Sequence, residues 1–204
     1  YLVTAELLNG AGINGTSGND WLYGYSGDDT INGLGGDDYV YGDAGDDTLH
    51  GGDGEDWLYG QLGDDILDGG DGFDRIDFRG SMASVVVDFD TGTATGVAIG
   101  TDQLVNIERA IGSNFNDRLN GSNTLGDAWE SYTGGLGNDT INGAGGNDSV
   151  WYGRSNAAVS VDLASGVVTG GEGNDQLASI EAVTGSNFAD TLLGSDGNDW
   201  LYPD

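Results

Sequence analysis

The feature that most constrains this chain is a spacing. Asp20, Asp29, Asp38, Asp47, Asp56, Asp65 and Asp74 follow one another at intervals of nine residues without a slip. Each belongs to a nine-residue unit, and seven units run in register from Gly15 to Asp77. Position 1 is always glycine: Gly15, Gly24, Gly33, Gly42, Gly51, Gly60 and Gly69. Position 4 is glycine as well: Gly18, Gly27, Gly36, Gly45, Gly54, Gly63 and Gly72. Position 6 is the aspartate, and position 8 is aliphatic throughout: Leu22, Ile31, Val40, Leu49, Leu58, Leu67 and Ile76.

Each fixed position has a physical reason. Glycine permits positive φ and close backbone approach, as a tight turn with inward-pointing carbonyls requires. Aspartate at position 6 brings hard carboxylate oxygen into that turn. Positions 7 to 9 are too short for a helical turn but suit a three-residue strand. Its alternation points position 8 inward and positions 7 and 9 outward. Six turn residues and three strand residues make half a coil, so two units close an 18-residue turn. Successive coils then stack as parallel strands on two facing sheets, with the position-8 aliphatics as core. The turn loops form two columns along the sides.

Composition narrows the function classes. The 204 residues carry 35 Asp+Glu against 5 Lys+Arg, a formal net charge of −30. Such a surface repels nucleic acid and anionic lipid, so neither is expected as a partner. All basic residues are arginines (Arg75, Arg79, Arg109, Arg118 and Arg154), so a lysine Schiff base has no lysine. Cysteine is absent, which removes disulfides, thiol catalysis and Cys/His zinc sites. A single histidine, His50, rules out a zinc-protease HExxH; as an outward strand residue it reads most simply as solvated. No apolar run is long enough to span a membrane as a helix. High charge with 40 glycines would fit disorder, but 37% hydrophobic and 9% aromatic residues exceed what a solvated acidic tail carries. Something must neutralise the carboxylates before the apolar part can pack.

The unit resembles the GGxGxDxUx nonapeptide of the RTX (repeats-in-toxin, haemolysin-type) calcium-binding proteins. Gly51-Gly52-Asp53-Gly54-Glu55-Asp56-Trp57-Leu58-Tyr59 and Gly69-Gly70-Asp71-Gly72-Phe73-Asp74-Arg75-Ile76-Asp77 carry the resemblance most closely. Position 2 departs from glycine in five of the seven units: Thr16, Tyr25, Leu34, Asp43 and Gln61. The resemblance implies an all-β fold, a right-handed parallel β-roll with calcium ions between turn loops of successive coils. It also implies a ligand set. The lower loop gives the carbonyls of positions 2 and 4 and its aspartate; the upper loop gives the carbonyls of positions 1 and 3 and its own. The first site then uses Thr16, Gly18 and Asp20 below with Gly33, Gly35 and Asp38 above. The carbonyls of Gly27, Gly36, Gly42, Gly45, Gly51, Gly54, Gly60 and Gly69 serve later levels in the same way. Seven units allow five aspartate pairs, 20/38, 29/47, 38/56, 47/65 and 56/74, and hence at least five ions in 15–77. Six oxygens with two carboxylates suit calcium better than magnesium.

Residues 15–77 hold 17 acids and one base, Arg75, a net charge of −16. Calcium uptake and folding are therefore expected to be one event. Extracellular calcium modules bind at about 0.1–1 mM, so such a fold forms outside the cell. This matches the type I secretion of RTX proteins and implies a secreted, extracellular or cell-surface location.

The remainder is a longer repeat around the same unit. Val85-Val86-Val87-Asp88-Phe89 aligns with Val159-Ser160-Val161-Asp162-Leu163, and Gly112-Ser113-Asn114-Phe115 with Gly185-Ser186-Asn187-Phe188. Each copy reads as a strand, a Gly/Thr turn, a second strand and a degenerate nonapeptide. Further good units place Asp139, Asp148, Asp175 and Asp199 at the metal position. The unit around Asp102 has Val97 where glycine is expected, which puts its turn in question. Residues 121–133 break the period and are expected to bulge as a loop. Glu108 and Glu181 follow isoleucine in matched contexts and are assigned to the spacer turn, with a metal role as the alternative. The chain thus divides into a partial leading repeat (1–14), a seven-unit roll (15–77), a spacer with repeats (78–151) and its second copy (152–204). Ala5-Glu6-Leu7-Leu8-Asn9-Gly10 resembles Ala189-Asp190-Thr191-Leu192-Leu193-Gly194, and the last good unit ends just before Pro203. The expectation is a fragment, a processed product, or a subunit whose end coils are covered.

One outward face stands apart. Trp21, Tyr39 and Trp57 at position 7 and Tyr23, Tyr41 and Tyr59 at position 9 recur at 18 residues and form two ladders. They either stabilise parallel strands or offer a protein or polysaccharide partner a binding platform. Acid pairs abound, and none nominates a catalytic centre. The reading is a calcium-binding β-roll module of a secreted bacterial protein, not an enzyme itself, which folds on calcium and supports an attached activity or surface contact. The alternatives are an accessory subunit, adhesin or surface-layer protein using the aromatic face, and an appendage of a secreted protease, lipase or polysaccharide-modifying enzyme.

Overall fold

A computed structural model describes residues 2–4, 12–123 and 129–203, and among them it contains strands and turns but no helix. The strands form two sheets of ten and thirteen. In the first, Leu2–Thr4, Trp21–Tyr23, Tyr39–Ala44, Trp57–Leu62 and Arg75–Asp77 stack in that order and all run parallel. In the second, Gly12–Asn14, Thr30–Gly35, Thr48–Asp53 and Ile66–Asp71 do the same. The register is 18 residues throughout this block: Leu22 lies opposite Val40, Val40 opposite Leu58, and Ile31 opposite Leu49. The chain is therefore a β-roll of two-unit coils.

The position-8 side chains fill the space between the sheets, and Leu22, Ile31, Val40, Leu49, Leu58, Leu67 and Ile76 are all 0% exposed. Such burial contributes about 1.5–3 kcal/mol for each large aliphatic. The strands between residues 30 and 71 run for six residues, twice the expected length. They continue through positions 1 to 3 of the next unit because the turn backbones also pair between coils, as Gly35 with Asp53 and Asp43 with Gln61.

Glycine is needed at position 4 for two reasons at once. Gly45 has φ +141°, and a Cβ there would collide with the Gly27 carbonyl of the preceding coil. Gly54 repeats this against Gly36.

The second half keeps the stack with two departures. The first sheet continues in parallel through Arg109–Ile111, Trp129–Thr133, Asn147–Trp151, Ala182–Thr184 and Trp200–Tyr202. In the second sheet each spacer inserts one strand against the others, Thr93–Gly96 and Val167–Gly170. Each of these sits between two strands of its own spacer, Val86–Asp88 and Gly100–Val105 in one case, Val159–Asp162 and Gln176–Ala178 in the other. The parallel β-roll thus holds through the repeats, and within each spacer a turn reverses the chain inside one sheet.

The turn around Asp102 does close, with Val97 turned fully to solvent and Leu104 stacked on Leu67. Residues 129–133 are not loop but strand, and Tyr132 stands buried in the core column where an aliphatic would be. Part of the expected bulge, 124–128, lies outside the described residues, as does the leading repeat at Ala5–Gly10.

The aromatic ladders are real stacks. Ring centroids are 4.7 Å apart for Trp21–Tyr39, 5.1 Å for Tyr39–Trp57, 4.7 Å for Tyr23–Tyr41 and 4.3 Å for Tyr41–Tyr59. Arg75 extends one ladder, its guanidinium 3.6 Å from the Trp57 ring centre. The six are not uniformly exposed as expected, because each ring covers its neighbour; only Trp21, at the end of its ladder, stays largely open.

Two substitution pairs test these roles in the calcium-loaded protein. Gly45→Ala should cost about 2–3 kcal/mol, whereas Gly18→Ala, where a Cβ meets nothing within 4 Å, should be nearly silent in thermal melts. Trp57→Thr, which loses a ring stack and a cation–π contact, should cost about 1–2 kcal/mol, and Trp21→Thr about half of that. Equal melting points within either pair would contradict the assignment.

Candidate metal centre

The turns bring the position-6 carboxylates into two columns, one beside each sheet. In the first, Asp20 donates its N–H to Asp38 Oδ1 at 2.8 Å, Asp38 to Asp56 at 2.8 Å, and Asp56 to Asp74 at 2.8 Å. In the second, Asp29 donates to Asp47 at 2.8 Å and Asp47 to Asp65 at 2.9 Å. All seven aspartates are at most 2% exposed. Burial follows from the turn, which curls the carboxylate back under its own position-1 glycine.

Oδ1 of Asp38, Asp47, Asp56, Asp65 and Asp74 is thereby used. The other has a different fate. Oδ2 of Asp38, Asp47, Asp56, Asp65 and Asp74 is buried and receives no hydrogen bond. At Gly33 the missing Cβ marks a small cradle, which Asp38 Oδ2 and the Gly51 carbonyl of the next coil both enter. Gly51 has the same cradle, filled by Asp56 Oδ2 and the Gly69 carbonyl, and at Gly42 and Gly60 the carboxylates of Asp47 and Asp65 enter alike. Oxygen atoms converging without a donor among them fit a cation.

Among the described residues, no three acidic or histidine side chains converge on one point. A cation here would meet two carboxylates at most and complete its shell from backbone carbonyls. Some of the expected carbonyls are already engaged: Thr16 accepts the Gly35 N–H at 3.3 Å, and Asp53 at position 3 accepts the Gly36 N–H at 2.8 Å. A carbonyl oxygen keeps a second lone pair after one such bond.

The electrostatics carry the same message. Burial pushes the carboxyls of Asp38, Asp47 and Asp56 up to about 6, partly offset by the backbone N–H and reinforced by the neighbouring carboxylate. For the same reasons Asp65 and Asp74 rise to about 7. Arg79 pairs with Asp77, and His50 Nδ1 approaches Asp68 Oδ2 at 3.6 Å; both contacts lie away from the buried oxygens of Asp38 to Asp74.

Both columns continue beyond residue 77. Asp65 donates to Asp102 at 3.2 Å, Asp117 to Asp139 at 2.8 Å, and Asp139 to Asp175 at 3.0 Å. Glu108 and Glu181 do more than serve the turn: each accepts an aspartate N–H at 2.9 Å, from Asp74 and Asp148 respectively, as the next aspartate would. Glu130 lies in register with Asp148 and accepts from the Tyr132 hydroxyl at 2.5 Å and the Ser122 N–H at 3.0 Å. Burial raises Asp102, Asp139 and Asp148 to about 8. Asp199 accepts the Ser195 N–H at 2.6 Å.

Sequence reading missed Asp102, Asp117 and Glu130 as members of these columns because the spacers shift the interval away from 18. It also missed an outer ladder at position 5. There Asp46 donates its N–H to Asp28 at 3.0 Å, Asp64 to Asp46 at 2.9 Å and Glu55 to Asp37 at 3.1 Å, in the direction opposite to the inner ladder. The recurrence of Asn, Asp or Glu just before six of the seven position-6 aspartates of 15–77 was the available signal.

No curated protein matches the sequence. A family model described as the RTX calcium-binding nonapeptide repeat matches residues 14–49, 41–76, 126–156, 167–179 and 183–202, more than half of the chain. Repeats of this family imply calcium binding, and the matched segments contain most of the carboxylate columns. On this agreement of repeat and geometry, the chain belongs to the RTX calcium-binding nonapeptide-repeat family.

Proposed function

We propose that this chain is a calcium-driven folding module. It is exported unfolded, takes up a file of calcium ions along each turn column outside the cell, and thereby forms the roll. Its own role is non-catalytic: the folded roll supports an attached activity or a surface contact. One observation carries the reading, the series of buried aspartate oxygens without donors in Asp38, Asp47, Asp56, Asp65 and Asp74. A buried carboxylate without a partner is costly, and a divalent cation between successive loops removes the cost at two carboxylates together. In the 38/56 level, Asp38 and Asp56 would supply the charge, and the position-1 carbonyl of Gly51 is the best-placed neutral donor. Calcium suits such a mixed shell of carboxylates and flexible backbone carbonyls.

The aromatic face is better read as a support for the strands than as a partner platform. Its rings stack on one another at 4.3–5.1 Å and leave little area for a ligand.

Two solution measurements test the module. Far-UV circular dichroism in chelator should report a largely unfolded chain, with β-signal growing as calcium rises through about 0.1–1 mM; a spectrum indifferent to calcium at moderate salt would contradict the reading. The second concerns pH. Asp38, Asp47, Asp56, Asp65 and Asp74 titrate at about 6 to 7 in the metal-free roll, against about 3.9 in an unfolded chain. Between about pH 4 and 7 the folded state therefore holds more protons, and its stability falls as pH rises through that window. In chelator, β-signal should be greater at pH 5 than at pH 8. With calcium near its half-saturating level the order should reverse, because protons then compete with the ion. Equal signals at both pH values in chelator would count against buried, cation-starved carboxylates.

A further inference from the structure

The turns fall into two kinds, and position 2 separates them. In the first kind the second carboxylate oxygen is filled from within the loop. Thr16 donates its N–H to Asp20 Oδ2 at 2.6 Å and its hydroxyl at 2.8 Å. Ser113 does the same to Asp117, with the N–H at 2.6 Å from Oδ2 and the hydroxyl at 2.8 Å from Oδ1. Ser186 and Ser195 repeat it on Asp190 and Asp199, each N–H at 2.6 Å. In the second kind, Oδ2 of Asp38, Asp47, Asp56, Asp65, Asp74, Asp102, Asp139 and Asp148 is buried without a donor. All eight of these residues are at most 1% exposed. Their position-2 residues are Leu34, Asp43, Gly52, Gln61, Gly70, Ala98, Gly135 and Ala144. Seven of the eight, all but Ala98, have positive φ, including the non-glycine residues Leu34 (81°), Asp43 (73°), Gln61 (73°) and Ala144 (68°).

The physical link is direct. With position 2 in the left-handed region, its N–H turns away from the aspartate and Oδ2 faces the cradle unopposed. A serine or threonine outside that region aims both its N–H and its hydroxyl at the carboxylate, a local cap of the kind these residues favour. A carboxylate so capped presents hydrogens where an ion would sit. Left-handed conformation in a leucine, glutamine or alanine costs about 1 kcal/mol or more, which only a gain elsewhere can offset.

We propose that position 2 decides which turns take calcium: turns with a left-handed residue there bind an ion, and turns with serine or threonine there are self-capped and bind none. This rests on the calcium reading above. It assigns ions to the level opened by Asp29, whose position-2 residue Tyr25 has φ 72°, and to those opened by Asp38, Asp47, Asp56, Asp65, Asp74, Asp139 and Asp148, and withholds them from the 20/38 level and from Asp117, Asp190 and Asp199. The capped turns of Asp117 and Asp190 thus let the roll restart after each spacer without metal. Gly112 has the same cradle as the open levels, entered by Asp117 Oδ2 and the Gly134 carbonyl, so the cap is what separates Asp117 from them.

Equilibrium dialysis against radioactive calcium, on the full chain at saturating calcium, reads the outcome as ions per molecule. Leu34→Thr should lose one ion relative to the parent, and Ser113→Gly should gain one. The gain cannot come from misfolding, so it remains decisive if Leu34→Thr fails to fold. Asp56→Asn serves as the control for the underlying calcium reading. If it lowers the count while Leu34→Thr and Ser113→Gly leave it unchanged, the position-2 rule is overturned and calcium binding stands. If the parent chain binds no calcium, the underlying reading itself falls, and the rule with it.

Discussion

A carboxylate withdrawn from water loses its hydration, and a second one a strand spacing away, about 4.8 Å, adds repulsion to that loss. This protein stacks such carboxylates in two columns, 0–2% exposed over the seven-unit block. Everything else in the roll is arranged around that cost. The inner hydrogen-bond ladder gives Asp38, Asp47, Asp56, Asp65 and Asp74 one backbone N–H each from the coil below, at 2.8–2.9 Å. The glycine at position 1 clears the space in which the remaining oxygen lies, and the glycine at position 4 lets the turns close-pack. One donor per carboxylate is too little, as the upward shifts of Asp38 through Asp74 express. The balance requires positive charge that the chain, with five arginines and no lysine, does not carry at positions 1 to 6 of the seven units.

The hydrophobic core is secondary in this scheme. Seven aliphatics at position 8, alternately from the two sheets, form a narrow column between them, while stacked rings cover part of one outer face and aliphatics such as Ile66 and Val105 stay exposed on the other. A file this thin offers limited burial per coil. That is why a fold of 37% hydrophobic residues and net charge −30 can depend on its turns more than on its interior. The aromatic stacks and the Arg75 contact on Trp57 stabilise the outer face of one sheet within these limits.

Much of this was legible in the sequence where the period was strict. Asp20 to Asp74 at nine-residue intervals fixed the coil length, the inward position and both columns. The rest was hidden for reasons of chain geometry. Asp102 succeeds Asp65 after 37 residues because a spacer strand reverses within the sheet, so no fixed interval connects them. Glu108 replaces an aspartate above Asp74, and its longer side chain reaches the same N–H from a different backbone context. Tyr132 occupies a core position usually held by an aliphatic, because Glu130 beneath it supplies a partner for the hydroxyl. The difference between open and capped turns lies at position 2, which looked merely variable in sequence. Its meaning appears only when φ and the carboxylate hydrogen bonds are seen together.

The central claim is that cations lie in files between successive aspartates. Anomalous diffraction from crystals grown with calcium, or with a lanthanide in its place, tests it most directly. Peaks should lie between Asp38 and Asp56, Asp47 and Asp65, and Asp56 and Asp74, spaced along each column by one coil, about 4.8 Å. Peaks confined to the exposed position-5 carboxylates such as Asp37, Asp46 and Asp64, with none between the buried aspartates, would contradict it.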